Sequence, residues 1–111
     1  MASVSSLEPN LLVLGGEIDL HESPQVKQGI NQLLKHRPPR VYIDLSRVTY
    51  IDSSGLATLI EAMQQINAYG GHLALFGIHD TVAAIFHIAQ LDQVFRIFPD
   101  QVAAREALEG R

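Results

Sequence analysis

An α/β fold, with a mixed, mostly parallel sheet of four to five strands and about four helices, is what this sequence predicts. Three observations carry the prediction. Short apolar runs, such as residues 11–14 and 73–76, alternate with longer stretches whose apolar residues recur at helical spacing. The connections between them are short and marked by Gly, Pro, Ser or Asp. Apolar residues make up 47% of the chain and charged residues 18%, a balance that suits a packed core rather than a disordered segment. At 111 residues one domain spanning 1–111 is expected, large enough to bury a core without metal or disulfide staples.

The elements follow in order. A weak strand signal lies around residues 3–7. Leu11, Leu12, Val13 and Leu14 form a short apolar run ended by Gly15-Gly16, which reads as a buried strand extending towards Ile18. Ser23-Pro24 opens a helix, since serine can cap and proline suits the first helical position. Val26, Ile30, Leu33 and Leu34 then recur at helical spacing until Pro38-Pro39 closes the segment. Residues 41–45 read as a strand with alternating faces, 46–50 as a turn, and Ile51 as a return to the core. The best-defined helix begins near Ser53 or Ser54. Its stripe is Leu56, Leu59, Ile60, Met63 and Ile66, and Gly70-Gly71 supplies a left-handed stop. After the strand at 73–76, Asp80 or Thr81 can cap a short helix bearing Val82, Ile85, Phe86 and Ala89. Residues 94–98 read as a last strand placing Phe95 and Phe98 in the core, and Asp100 starts a terminal helix to about Leu108. The alternation implies parallel neighbours joined by right-handed crossovers, while strand order stays open.

Composition also narrows function. The formal charge is −4, and eight basic residues are spread along the chain, so no nucleic-acid partner is expected. No apolar run approaches the roughly 20 residues that cross a bilayer, and the first ten residues lack the pattern of a signal peptide. No membrane association and a cytoplasmic location are therefore expected. Cysteine is absent, which excludes disulfides, thiolate metal sites and cysteine nucleophiles. His21, His36, His72, His79 and His87 show no spacing that brings two imidazoles to one ion, so neither a metal nor another cofactor is expected.

One segment stands apart. Residues 48–56 place Asp52, Ser53, Ser54 and Gly55 where a strand ends and a helix begins. One serine can cap the helix, in which case Ser54→Ala removes about 1 kcal/mol of stability. That leaves the other serine, Asp52 and Gly55 without a stability role, and a glycine in a first turn costs about 1 kcal/mol relative to alanine. A structural and a functional reading of the segment both stand at this point. Among functional readings, a hydrolase nucleophile elbow needs glycine two residues before the serine, where Ile51 stands, and no histidine is placed as a base. A P-loop needs more glycines and a lysine. A serine that is itself modified remains. Phosphate adds about −1.5 to −2 charge, backbone N–H groups at a helix start can hold it, and a docking partner would meet new bulk and charge.

Asp52-Ser53-Ser54-Gly55-Leu56 resembles the signature of STAS domains, in particular bacterial anti-sigma-factor antagonists. Gly16-Glu17-Ile18-Asp19 resembles the Gly-Glu-(Leu/Ile)-Asp turn before the first helix of that family, and the likeness runs from about Leu11 to Leu108. The resemblance implies a ligand and substrate rather than an enzyme, with no catalytic residue of its own. Ser53 would accept phosphate from an anti-sigma factor that is also a serine kinase of the GHKL ATPase type. Binding would release the sigma factor, phosphorylation would end the interaction, and a metal-dependent serine phosphatase would reverse it. Asp52 and Ser54 would shape the docking surface, Gly55 would let the partner approach closely, and Asp19 and His21 would contribute partner contacts. The alternative that the same resemblance allows is a constitutive accessory subunit of a phospholipid-transport ABC complex.

Overall fold

The computed structural model describes residues 2–110. Its elements are β1 (Ala2–Glu8), β2 (Leu11–Ile18), α1 (Ser23–Leu34), β3 (Arg40–Ile51), α2 (Ser53–Ala68), β4 (His72–Phe76), α3 (Asp80–Ile88), β5 (Ile97–Phe98) and α4 (Gln101–Glu109). The five strands form one sheet in the order β1-β2-β3-β4-β5. The edge strand β1 runs antiparallel to β2, and every other pairing is parallel. Among the described residues no helix is long and apolar enough to cross a membrane.

Strand alternation distributes the core to two faces. Leu12, Leu14, Val41, Ile43, Leu45, Leu73 and Leu75 pack with the apolar stripes of α1, α2 and α3 in one cluster. Their neighbours Leu11, Val13, Tyr42, Ala74 and Phe76 face the other way and meet Ala104 of α4. Residues 41–43 are therefore buried on both sides of the sheet, as parallel strands covered by helices are. Polar contacts hold α4 down. The Tyr42 hydroxyl donates to Glu109 Oε2 at 2.8 Å, and the Arg105 guanidinium lies 4.7 Å from the centre of the Tyr42 ring. Arg105 also bridges to Glu8 and Glu109. Burial, with the hydrogen bond to Glu109 second, pushes the Tyr42 phenol up to about 12, so it stays a neutral donor.

Several sequence expectations are corrected. β2 reaches Ile18, as expected, but not as a regular strand. The strand passes through both glycines with register shifts on either side, and Gly16 takes φ 78°, a bulge conformation that a side chain disfavours. Residues 46–50 are not a turn, because β3 continues to Ile51 and its ladder with β2 resumes after each bulge. Ser23 is not a cap. Glu22 holds the cap position of α1, and Ser23 Oγ instead donates to Asp19 O at 2.6 Å. Neither Asp80 nor Thr81 caps α3, whose cap position is His79 with no side-chain hydrogen bond. The last strand is only Ile97–Phe98. Leu91–Gln93 form a 3-10 turn, and Leu91 O takes the N–H groups of both Val94 and Phe95. Phe95 is buried edge-on against Phe86, at 5.8 Å between ring centres, which draws this stretch off the extended path.

Candidate functional site

The C-terminal ends of β2 and β3 lie side by side, in the register Glu17↔Tyr50 and Ile18↔Ile51. β4 stops pairing at Asp44↔Phe76, so β3 runs on beyond it with β2 as its ladder partner. Asp19 and Asp52 follow the two strand ends, and the Asp52 N–H donates to Ile18 O at 3.2 Å. Two segments more than thirty residues apart in sequence thus meet at one end of the sheet.

The start of α2 is built by Asp52. In extended backbone conformation, its Oδ1 accepts from the N–H groups of Ser54 (2.9 Å) and Gly55 (3.1 Å), and its carbonyl accepts from Leu56 (2.9 Å). Asp52 is the cap, and neither serine is. The stability role that sequence reasoning withheld from Asp52 belongs to it. Asp52→Ala is accordingly expected to lower unfolding free energy by about 1 kcal/mol, with Asp52→Asn retaining most of the stability. Ser54→Ala should stay within about 0.5 kcal/mol of wild type. Urea denaturation measures all three, and a Ser54→Ala loss as large as that of Asp52→Ala would contradict this assignment.

The remaining residues of the segment differ sharply in access. Ser53 is exposed, Ser54 half-buried and Gly55 buried. A Cβ on Gly55 would fall 2.6 Å from Ile51 Cγ1 and 2.7 Å from Ile18 O. The close approach that Gly55 permits is therefore that of the chain's own strand ends to the helix. Asp19 organises the facing turn. Its Oδ1 accepts from the Glu22 N–H at 3.0 Å, and its carbonyl accepts from the N–H groups of Glu22 and Ser23. His21 stands exposed on that turn. Glu22 Oε1 accepts from the N–H of Ala2, tying the turn to β1.

Two consequences for chemistry follow. A phosphoryl group on Ser53 would find the Ser54 and Gly55 N–H groups already engaged by Asp52, and it would add negative charge close to that carboxylate. The histidines with ring hydrogen bonds are committed elsewhere, His79 to Ser46 O and His87 to Asp92 Oδ2 at 2.9 Å. Sequence reasoning passed over Leu20 and Tyr50, which the same end of the sheet leaves exposed at 73% and 45%. Leu20 falls outside any core stripe, a signal that was readable. Tyr50 was hidden by the misread turn at 46–50.

Residues 6–104 match the model of the STAS domain family. An anti-sigma-B factor antagonist of Listeria monocytogenes is 30% identical over 86 residues, covering 78% of this chain and 75% of the relative. The crystal structure of an anti-sigma factor antagonist from Mycobacterium paratuberculosis superposes with a TM-score of 0.82 at 25% identity, covering 98% of this chain and 93% of that one. A sulfate transporter family protein from Wolinella succinogenes superposes at 0.78 with 17% identity, covering 90% of this chain and 84% of that one. That last likeness is one of fold alone. The architecture serves regulators and transporters alike, so function has to be argued from the site.

Proposed function

This chain belongs to the STAS domain family, and from that premise we propose that it is an anti-sigma-factor antagonist switched off by phosphorylation of Ser53. The observation that carries the reading is the division of labour at the start of α2. Asp52 closes the helix and Gly55 seats it on the strand ends, which leaves Ser53 exposed and free of any part in either task. A modification there changes the surface and spares the fold. The kinship with the Listeria antagonist supports the same reading.

Unphosphorylated, the protein binds an anti-sigma factor that is also a GHKL-type serine kinase, and the sigma factor is released. Phosphorylated, it presents about two more negative charges beside Asp52 and lets go. A serine phosphatase restores the binding form. Asp19, His21, Asp52 and Ser54 border the contact, and Gly55 supports it from beneath. The chain acts as ligand and substrate, with no catalysis of its own.

Gel filtration tests the antagonist role. Adding unphosphorylated protein to the purified complex of the organism's sigma and anti-sigma factors should free the sigma factor, and adding Ser53-phosphorylated protein should leave the complex whole. A complex that withstands a molar excess of the unphosphorylated form would contradict the role.

A further inference from the structure

We propose that β1 joins a second copy of this chain edge to edge, so that the two sheets continue as one. β1 is the outer strand, and its seven residues pair with β2 on one side only. Edge strands of a lone domain are usually short, bulged, or marked by Lys or Pro, because an open row of N–H and C=O groups recruits other strands. β1 carries no Lys and no Pro, and its register with β2 runs unbroken from Ala2↔Gly16 to Ser6↔Leu12. Its one charged residue, Glu8, is bridged to Arg105 at 2.7 Å. A chain of net charge −4 thus presents a neutral edge, along which a second copy is not repelled.

The hydrogen-bonding groups fix the register. The Ala2 N–H donates to Glu22 Oε1 at 3.2 Å and not to β2. Successive residues of an antiparallel ladder point to opposite sides, so Val4 and Ser6 turn their N–H and C=O groups to the open edge. A two-fold axis at Ser5 sets Val4 opposite the second copy's Ser6, and Ser6 opposite its Val4. Each pair exchanges both N–H···O bonds, and the Ala2–Glu22 bond stays intact. Above the strand, α1 packs over β1 and β2, and a Cβ on Gly29 would run into Val4 Cγ1. The α1 helices of the two copies would therefore stand two strand spacings apart, about 10 Å, an ordinary packing distance. Gln25 and Gln32 share the Gly29 side of α1 and are exposed. An amide both donates and accepts, so these side chains can meet their own copies with no group left unpaired. That self-complementarity selects a second copy over a different protein. Antiparallel pairing also turns the two Ser53 ends to opposite ends of the joined sheet, where both stay accessible.

Analytical ultracentrifugation of the wild type from about 1 μM to about 1 mM should show the mass rising from one chain to two. Ser5→Lys and Ser5→Glu each set like charges face to face at the axis, and each should weaken self-association about fivefold. Their equimolar mixture should associate at least as tightly as the wild type. Ser6→Pro removes the edge N–H and should weaken it about 30-fold. Ser5 and Ser6 are exposed, and these changes spare the bonds to β2, so all three variants should melt with the wild type. A wild type that stays monomeric throughout would overturn the proposal and leave the edge to a strand of another protein. A dimer indifferent to all three substitutions would assign self-association to another surface and overturn it too. Dimers lost in both Ser5 variants and not recovered in their mixture would equally contradict pairing about Ser5. The reading of Ser53 stands or falls separately from each of these results.

Discussion

Ser53→Asp is expected to weaken binding of the anti-sigma factor by about tenfold or more, while Ser53→Ala binds as the wild type does. The alanine removes a hydroxyl that neither caps α2 nor packs in the core, so the docking surface keeps its shape. The aspartate adds one charge where phosphate adds nearly two, and it lacks the phosphoryl oxygens, so its effect is a fraction of the full switch. Its stability should barely move. A negative charge in a first turn gains about 0.3–1 kcal/mol from the helix dipole, and a neighbouring carboxylate at about 4 Å in water returns about 1 kcal/mol of repulsion. Lost affinity at unchanged melting temperature would therefore report the contact itself. Titration calorimetry with both variants decides it, and equal affinities would count against a switch at this residue.

Gly55→Ala carries the largest expected loss of stability. The new methyl would meet Ile51 Cγ1, Ile18 O and Ile18 Cγ2, all within 2.9 Å. Ile18 O cannot retreat without breaking its hydrogen bond to the Asp52 N–H. Overpacking of this kind costs typically 1–3 kcal/mol, and with backbone at the contact the upper end applies. Alanine returns up to about 1 kcal/mol of helix propensity. The net expectation is a loss of about 2 kcal/mol, a fall of roughly 10 °C in melting temperature for a domain this size. Thermal unfolding beside Ser54→Ala isolates the steric term. A Gly55→Ala protein as stable as wild type would mean that the helix does not press on the strand ends as described.

How far the sequence could be read depends on what each signal encodes. The stripe from Leu56 to Ile66 and the run Val26, Ile30, Leu33, Leu34 declared their helices, because burial repeats with the helical period. The Gly70 stop was legible for the same kind of local reason, and Gly70 does take φ 84°. The length of β3 was not legible. Ser46, Arg47, Thr49 and Tyr50 look like a turn, and only the ladder to β2, itself bulged at its glycines, keeps them extended. Val94 and Phe95 misled for a tertiary reason, since Phe86 captures Phe95 from the helical side of the core.

At the start of α2, the pattern from Asp52 to Gly55 hides two structural tasks. A capping aspartate is as familiar as a capping serine, but two adjacent hydroxyls drew the eye. In the sequence Gly55 looks like room for a partner, because the close approach of Ile18 depends on the pairing of β2 with β3, a long-range contact no local window contains. The meeting of the Asp19 turn with the Asp52 helix is of the same kind: spacing hints at it, and topology delivers it.

The most direct test of phosphorylation at Ser53 is intact-mass analysis after incubation with ATP and lysate from the protein's own organism, wild type beside Ser53→Ala. A gain of one phosphate in the wild type and none in the variant is expected. No gain in lysate shown to be active, or an equal gain in both proteins, would contradict it, and the first of these would favour a constitutive partner such as a transport ATPase.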